Sequence, residues 1–271
     1  MEAKCKLNAG NVKTYIDYHK EMGIPFKMTL TNYTTKIESE LHKVHFMKNV
    51  QSNRTFSSFQ KVKNDCLKKP CPKIDAHSCS YFRTNIFENN FYADTIYNID
   101  LKAAYATVLF NDGYISKKTY QYIVRLPKME RLTCIGMMAG KKNVFQINRK
   151  GDVTRHESVT SPASGYFFHC VRRIEEIMNG ARELLCESFL FSWVDGIYFL
   201  NKEEKKHNDL IDYFKKLNFK IKVEVLTEFH VELKDHHYKC SYIKEGKKKF
   251  INVPKETSSL VKSLSSYLLS S

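Results

Sequence analysis

Residues 95–109, Thr-Ile-Tyr-Asn-Ile-Asp-Leu-Lys-Ala-Ala-Tyr-Ala-Thr-Val-Leu, open in one periodicity and close in another. The first half is β-branched and aromatic and favours a strand. The second half spaces Leu101, Ala104, Tyr105 and Val108 as the apolar stripe of a helix. Asp100 stands at the changeover. It either caps the helix, a common use of aspartate, or presents a carboxylate at a strand's end beside a cleft. A second acid, Asp195, lies in Phe-Ser-Trp-Val-Asp-Gly-Ile-Tyr-Phe (191–199), which reads as an apolar hairpin with one carboxylate at its turn. One aspartate in each of two apolar strands is how a site for a hard, oxygen-seeking cation such as Mg²⁺ or Mn²⁺ is assembled.

The rest of the chain is basic. Forty-four lysines and arginines against 29 acids give a formal charge of +15, which favours a polyanionic partner. Hydrophobic content of 42% supports a substantial core and excludes a disordered chain. No apolar run reaches membrane-spanning length and no signal-peptide core is visible. The expectations are therefore a nucleic-acid partner, no membrane, an intracellular (cytoplasmic or host-cytoplasmic) setting, and eight reduced cysteines.

Three regions are expected: a basic, mainly helical region over 1–90, a core over 91–253 with an insertion near 114–160, and a tail over 254–271. In the first, Val12, Tyr15, Ile16, His19 and Met22 predict a helix, and a second is predicted over 32–50. Residues 51–61 mix basic, polar and aromatic types, which suits either single-stranded nucleic acid or a solvated loop pinned by Phe56 and Phe59. Cys66, Cys71, His77 and Cys79 lie close together, but the spacing of the last two is tighter than structural zinc sites use. Ordinary reduced cysteines are the competing reading.

In the core, Gly113 ends the first helix and Ser116 caps the next. A helix over 128–142 carries Lys128 and Arg131 one turn apart, either to hold a triphosphate or to face solvent. A hairpin turns at 148–152, and a long amphipathic helix follows Pro162. Asn201 caps a further helix. Alternation then predicts one strand with Phe219, Ile221, Val223 and Val225 on one face, a second with Phe229, Val231 and Leu233 on one face, and a third with Tyr238, Cys240 and Tyr242. The expected class is α+β: an antiparallel sheet with helices on one face.

Four of these stretches, in chain order, resemble the palm of family B DNA polymerases. Residues 97–109 are similar to the family's D-x-x-S-L-Y-P motif, with Asp100 on the metal-binding aspartate and Tyr105 on the tyrosine that screens the sugar 2′ position. The 128–142 helix stands where the triphosphate-holding helix belongs, without its N-S-x-Y-G. The 191–199 hairpin resembles Y-x-D-T-D-S, with Asp195 on the second aspartate. It is also similar to the reverse-transcriptase turn. Lys248-Lys249-Phe250 resembles the K-x-Y element that contacts the primer. The departures are Trp193 for the first hairpin aspartate, Gly196 for serine, Ala106 for proline, and no room for a proofreading nuclease.

The resemblance implies two-metal nucleotidyl transfer, with Asp100 and Asp195 catalytic and holding Mg²⁺ or Mn²⁺. Tyr105, Lys128 and Arg131 would meet a deoxynucleoside triphosphate, and Lys248 and Lys249 DNA. A shortened polymerase of this kind suggests low fidelity or a replication-protein partner, in a virus or mobile element. Two other classes stay open: a catalytically inactive palm-like nucleic-acid-binding replication accessory, and a cyclase or primase on a related sheet.

Overall fold

Two six-stranded sheets carry the chain. The computed structural model describes residues 2–6, 9–31, 34–47, 53–74, 90–200, 204–234 and 237–254. The described residues cluster into two units, one within 1–72 and 125–167, the other within 73–124 and 168–254. His77, Cys79, the Asn201 cap and most of the expected tail lie outside the described residues.

The first unit begins with β1 (Glu2–Lys6), α1 (Ala9–Glu21), β2 (Phe26–Leu30), β3 (Thr34–Glu38), β4 (Lys43–Met47) and α2 (Asn53–Cys66). The helix expected over 32–50 is thus a pair of strands. Thr35, Ile37, Val44 and Phe46 alternate inward, a period-2 pattern that β-branched residues favour. Residues 53–61 are likewise helix, with Phe59 buried and Phe56 exposed. Cys66 is buried and Cys71 exposed, and burial pushes the Cys66 thiol up to about 12. Later in the chain this unit adds α5 (Lys128–Gly136), a 3-10 turn, β6 (Lys141–Ile147) and β7 (Val153–Thr160). The order is β1-β4-β3-β2-β6-β7, so the last part of the expected insertion, β6 and β7, completes the N-terminal sheet. β1 runs parallel to β4 and the other pairs are antiparallel. Phe26, Ile37, Val44, Phe46 and Ile147 form its core with Val12, Tyr15 and Ile16 of α1.

The second unit holds β5 (Tyr92–Leu101), α3 (Ala104–Asn111), α4 (Lys117–Val124), most of α6 (Ser164–Leu185), β8 (Phe189–Trp193), β9 (Gly196–Phe199) and α7 (Glu204–Lys216). It closes with β10 (Ile221–Lys234), β11 (His237–Lys244) and β12 (Lys247–Pro254). Its sheet order is β12-β11-β10-β5-β9-β8, antiparallel throughout. The fold is α+β, with helices on one face of an antiparallel sheet. On that face α7 brings His207 to 5.2 Å from the Tyr97 ring and 5.6 Å from Phe199. Tyr213 of α7 donates to the Ile177 carbonyl of α6 at 3.1 Å. Its hydroxyl lies 2.4 Å from where a Cβ on Gly180 would stand, so only glycine admits this crossing.

The two strands expected over 219–233 are one, β10, with a bulge at Glu228 (φ 51°). The bulge resets the alternation. Before it, Val223 and Val225 are exposed while Leu226 is buried; after it, Phe229 and Val231 are buried. The 128–142 helix stops at Gly136, and Lys141 and Lys142 already belong to β6.

In the first sheet, Lys36, Lys43 and Lys27 gather around Glu38. Burial alone would raise the Glu38 carboxyl; the hydrogen bond from Lys36 and the three cations lower it below its ordinary 4.5. A depressed carboxylate contributes stability that is present above the unfolded value and lost as pH falls through the folded one. Urea unfolding at several pH values should therefore show a shallower stability loss below about pH 4.5 in Glu38→Gln than in the wild type.

Candidate active site

Asp100 is the penultimate residue of β5, paired on both sides just before the chain turns into α3. In register, Asp100 pairs with Gly196 of β9 on one side and Lys222 of β10 on the other. The Leu101 N–H donates to the Asp195 carbonyl at 2.9 Å, fastening the β8–β9 turn to the end of β5. Asp100 and Asp195, read from stretches far apart in sequence, are brought together. Both are half-buried.

Asp100 is not a helix cap. The N-cap of α3 is Ala103, without a side-chain hydrogen bond. Tyr105 is consequently the second residue of α3, in its first turn and half-buried. The Cys170 thiol lies 3.6 Å from the Tyr105 carbonyl, tying α6 to α3.

Both acid-bearing turns hold a non-glycine residue in the left-handed region, Ala103 at φ 54° and Val194 at φ 53°. Such a conformation costs on the order of 1–3 kcal/mol, and it is least tolerated by a β-branched side chain. The surrounding ladder over-determines it.

Residues paired across strands share a face. Asn98 and Asp100 therefore share one with Lys222 and Glu224, with Gly196 and Tyr198, and with Trp193. The face opposite carries Tyr97 and Phe199 toward α7. Trp193, where the resemblance calls for an acid, thus lies on the Asp100 face. Gly196 is not needed for its backbone angle, and a Cβ there would make ordinary contacts, 3.4 Å from Asn98 Oδ1 at the nearest. Tyr198 stacks on Phe191 at 4.1 Å. Burial, then Tyr242, Asp100 and Glu224, push its phenol well above the ordinary range, so it stays protonated.

Three partners on this face were not legible in the sequence: Glu224, Lys222 and Lys244. Glu224 accepts from both lysines at 2.6 Å, and its other oxygen lies 3.4 Å from the donating Asn98 amide. Burial would raise Glu224; the two lysines lower it. The alternation Lys222-Val223-Glu224-Val225 was the available signal, since valines sharing one face leave Lys222 and Glu224 together on the other.

The other expected site residues are spread out. Lys128 and Arg131 lie one turn apart on α5, in the first unit; Lys128 is exposed, and Arg131 donates to the Leu126 carbonyl at 3.3 Å. Lys248 and Lys249 are exposed on the edge strand β12, opposite Ile243 and Tyr242. Being consecutive, they point to opposite faces. Only Lys249, with Tyr242, shares the Lys244 side. Edge strand and β5 are three strand spacings apart, roughly 14 Å.

The residue types gathered here are those a hard cation prefers. Asp100 and Asp195 offer carboxylate oxygens. Asn98 Oδ1, on the same face, is buried without a hydrogen-bond partner. Among the described residues, no group of three or more histidines, cysteines or acids converges on a point. No described helix is long and apolar enough to cross a membrane. No protein-family model matches the chain, and no curated protein does.

Because Val194 is held at φ 53°, Val194→Asn should stabilise the protein by about 1 kcal/mol, asparagine tolerating that region better. Equilibrium urea unfolding reads this directly; a lower midpoint would mean that the valine side chain contributes more than its backbone costs.

Proposed function

We propose that the chain is a minimal template-dependent nucleotidyltransferase, its second unit acting as a polymerase palm that extends a DNA 3′ end with deoxynucleoside triphosphates. One observation carries this reading: the turn bearing Asp195 is hydrogen-bonded to the end of the strand bearing Asp100. Palm chemistry needs two carboxylates from separate strands at one point, on a face that the packed helices leave to substrate. A magnesium or manganese ion held by Asp100 and Asp195 would stabilise charge on the transferring phosphoryl group and lower the pKa of the attacking 3′ hydroxyl.

The protein's own groups do the rest. Asn98 presents a buried oxygen beside the acids, and the uncharged Tyr198 adds no negative charge to them. Lys222, Lys244 and Lys249 bring positive charge to the same side of the sheet. Tyr105 enters the first turn of α3 four residues after Leu101, and there screens the sugar 2′ position.

Trp193 favours a second reading, a catalytically inactive palm-like nucleic-acid-binding accessory, since an indole fills the place of one acid. Extension of a labelled primer separates the two. With Mg²⁺ or Mn²⁺ the wild type should add nucleotides, and Asp100→Asn and Asp195→Asn should each cut the rate at least 100-fold. Primer binding by the wild type with no extension would leave the accessory reading standing. In the active protein, Tyr105→Ala should admit ribonucleotides while largely retaining deoxynucleotide use. An active variant with unchanged sugar preference would remove Tyr105 from that role.

A further inference from the structure

Glu224 holds two ammonium groups against one oxygen. Lys222 Nζ and Lys244 Nζ each lie 2.6 Å from its Oε1, so they stand at most about twice that distance apart. Two like charges so close repel each other; Glu224 offsets part of that repulsion, and the Asp100 and Glu245 carboxylates also act on Lys222. The arrangement is built rather than incidental. The Glu224 side chain is only 12% exposed, Asn98 braces its second oxygen, and the lysines come from different strands, β10 and β11. Lys222 is the direct cross-strand neighbour of Asp100. Its side chain is half-exposed and that of Lys244 a quarter exposed. Each therefore keeps N–H donors for a ligand after its bond to Glu224. A phosphate placed against both would meet two ammonium groups at once.

We infer that Lys222 and Lys244, positioned by Glu224, form a phosphate-binding pair beside Asp100. The inference rests on the nucleotidyltransferase reading for its biological setting, and on the Glu224 geometry for its existence. Adjacent phosphoryl oxygens match two ammonium groups at this separation, and lysine binds phosphate as a point charge. The phosphate comes either from the triphosphate of an incoming nucleotide or from a phosphodiester of the strand being extended. No residue singled out by the family resemblance takes part in the pair.

The test is binding rather than turnover, with the full chain. Inorganic tripolyphosphate and a short single-stranded DNA are titrated separately, each at several salt concentrations. Lys222→Ala and Lys244→Ala should each weaken the ligand that the pair serves about tenfold or more, as loss of a hydrogen bond to a charged group does. If that ligand is the DNA, each should also lower its salt slope by about one. Lys222→Arg should restore most of the affinity. Glu224→Gln adds net positive charge and yet should weaken binding, because the lysines lose their anchor; tighter binding would refute the positioning role. A loss confined to tripolyphosphate assigns the pair to the nucleotide, and one confined to DNA assigns it to the strand. Unchanged binding of both ligands in both alanine variants, or a wild type that binds neither, overturns the inference. Primer extension by the wild type with lysine variants that bind normally would sink only this inference. Weakened binding in a wild type that never extends a primer would sink only the polymerase reading.

Discussion

The hydrogen bond from the Leu101 N–H to the Asp195 carbonyl is the constraint on which the candidate site depends. In net terms such a bond contributes only about 1 kcal/mol. Its importance lies in where it falls, one step beyond the Asp100–Gly196 pair. There it prevents the β8–β9 turn from swinging away from β5. Ile99 and Ile197, paired just behind it and fully buried, give the ladder a hydrophobic backing that holds its register. A one-residue slip would send Asp100 to the α7 side of the sheet. The left-handed Val194 and Ala103 are bearable because this pairing fixes both turns from outside.

The same pairing explains the electrostatics. Placing Asp100 opposite Lys222 and Asn98 opposite Glu224 interleaves acids, an amide and cations on one face, so no side chain there stands as an isolated charge. Farther along the same face Ile96, Leu226, Tyr198 and Phe191 form a buried apolar cluster, so the polar groups are confined to the end near Asp100. The buried Asn98 oxygen is the exception, a local cost of the kind that functional sites carry.

Local patterns were legible where one element decides its own fate. The strand-to-helix changeover at Asp100, the Asp195 hairpin, the Ser116 cap, which accepts from the Thr119 N–H, and the apolar stripe of α6 all stand in the structure. What depended on distant partners was not legible. Residues 34–47 carry enough polar and charged residues to pass for helix, and they are strands because β2 and β4 flank β3. Nothing local in residues 141–147 says that they pair with residues 26–30. In β10, Val223 and Val225 do share one face, opposite Ile99 and Tyr97, yet stay exposed, and the bulge at Glu228 shifts the phase of the residues after it. Glu224 and Lys222 could be seen as partners of the site only once the register with β5 was known.

The central claim is that Asp100 and Asp195 jointly hold one divalent cation. The most direct measurement is Mn²⁺ binding followed by electron paramagnetic resonance, which needs neither DNA nor turnover. The account predicts a site in the wild-type protein that Asp100→Asn and Asp195→Asn each abolish, with the double variant no worse than either single. Mn²⁺ bound equally well by both single variants, or losses that simply add in the double variant, would contradict it.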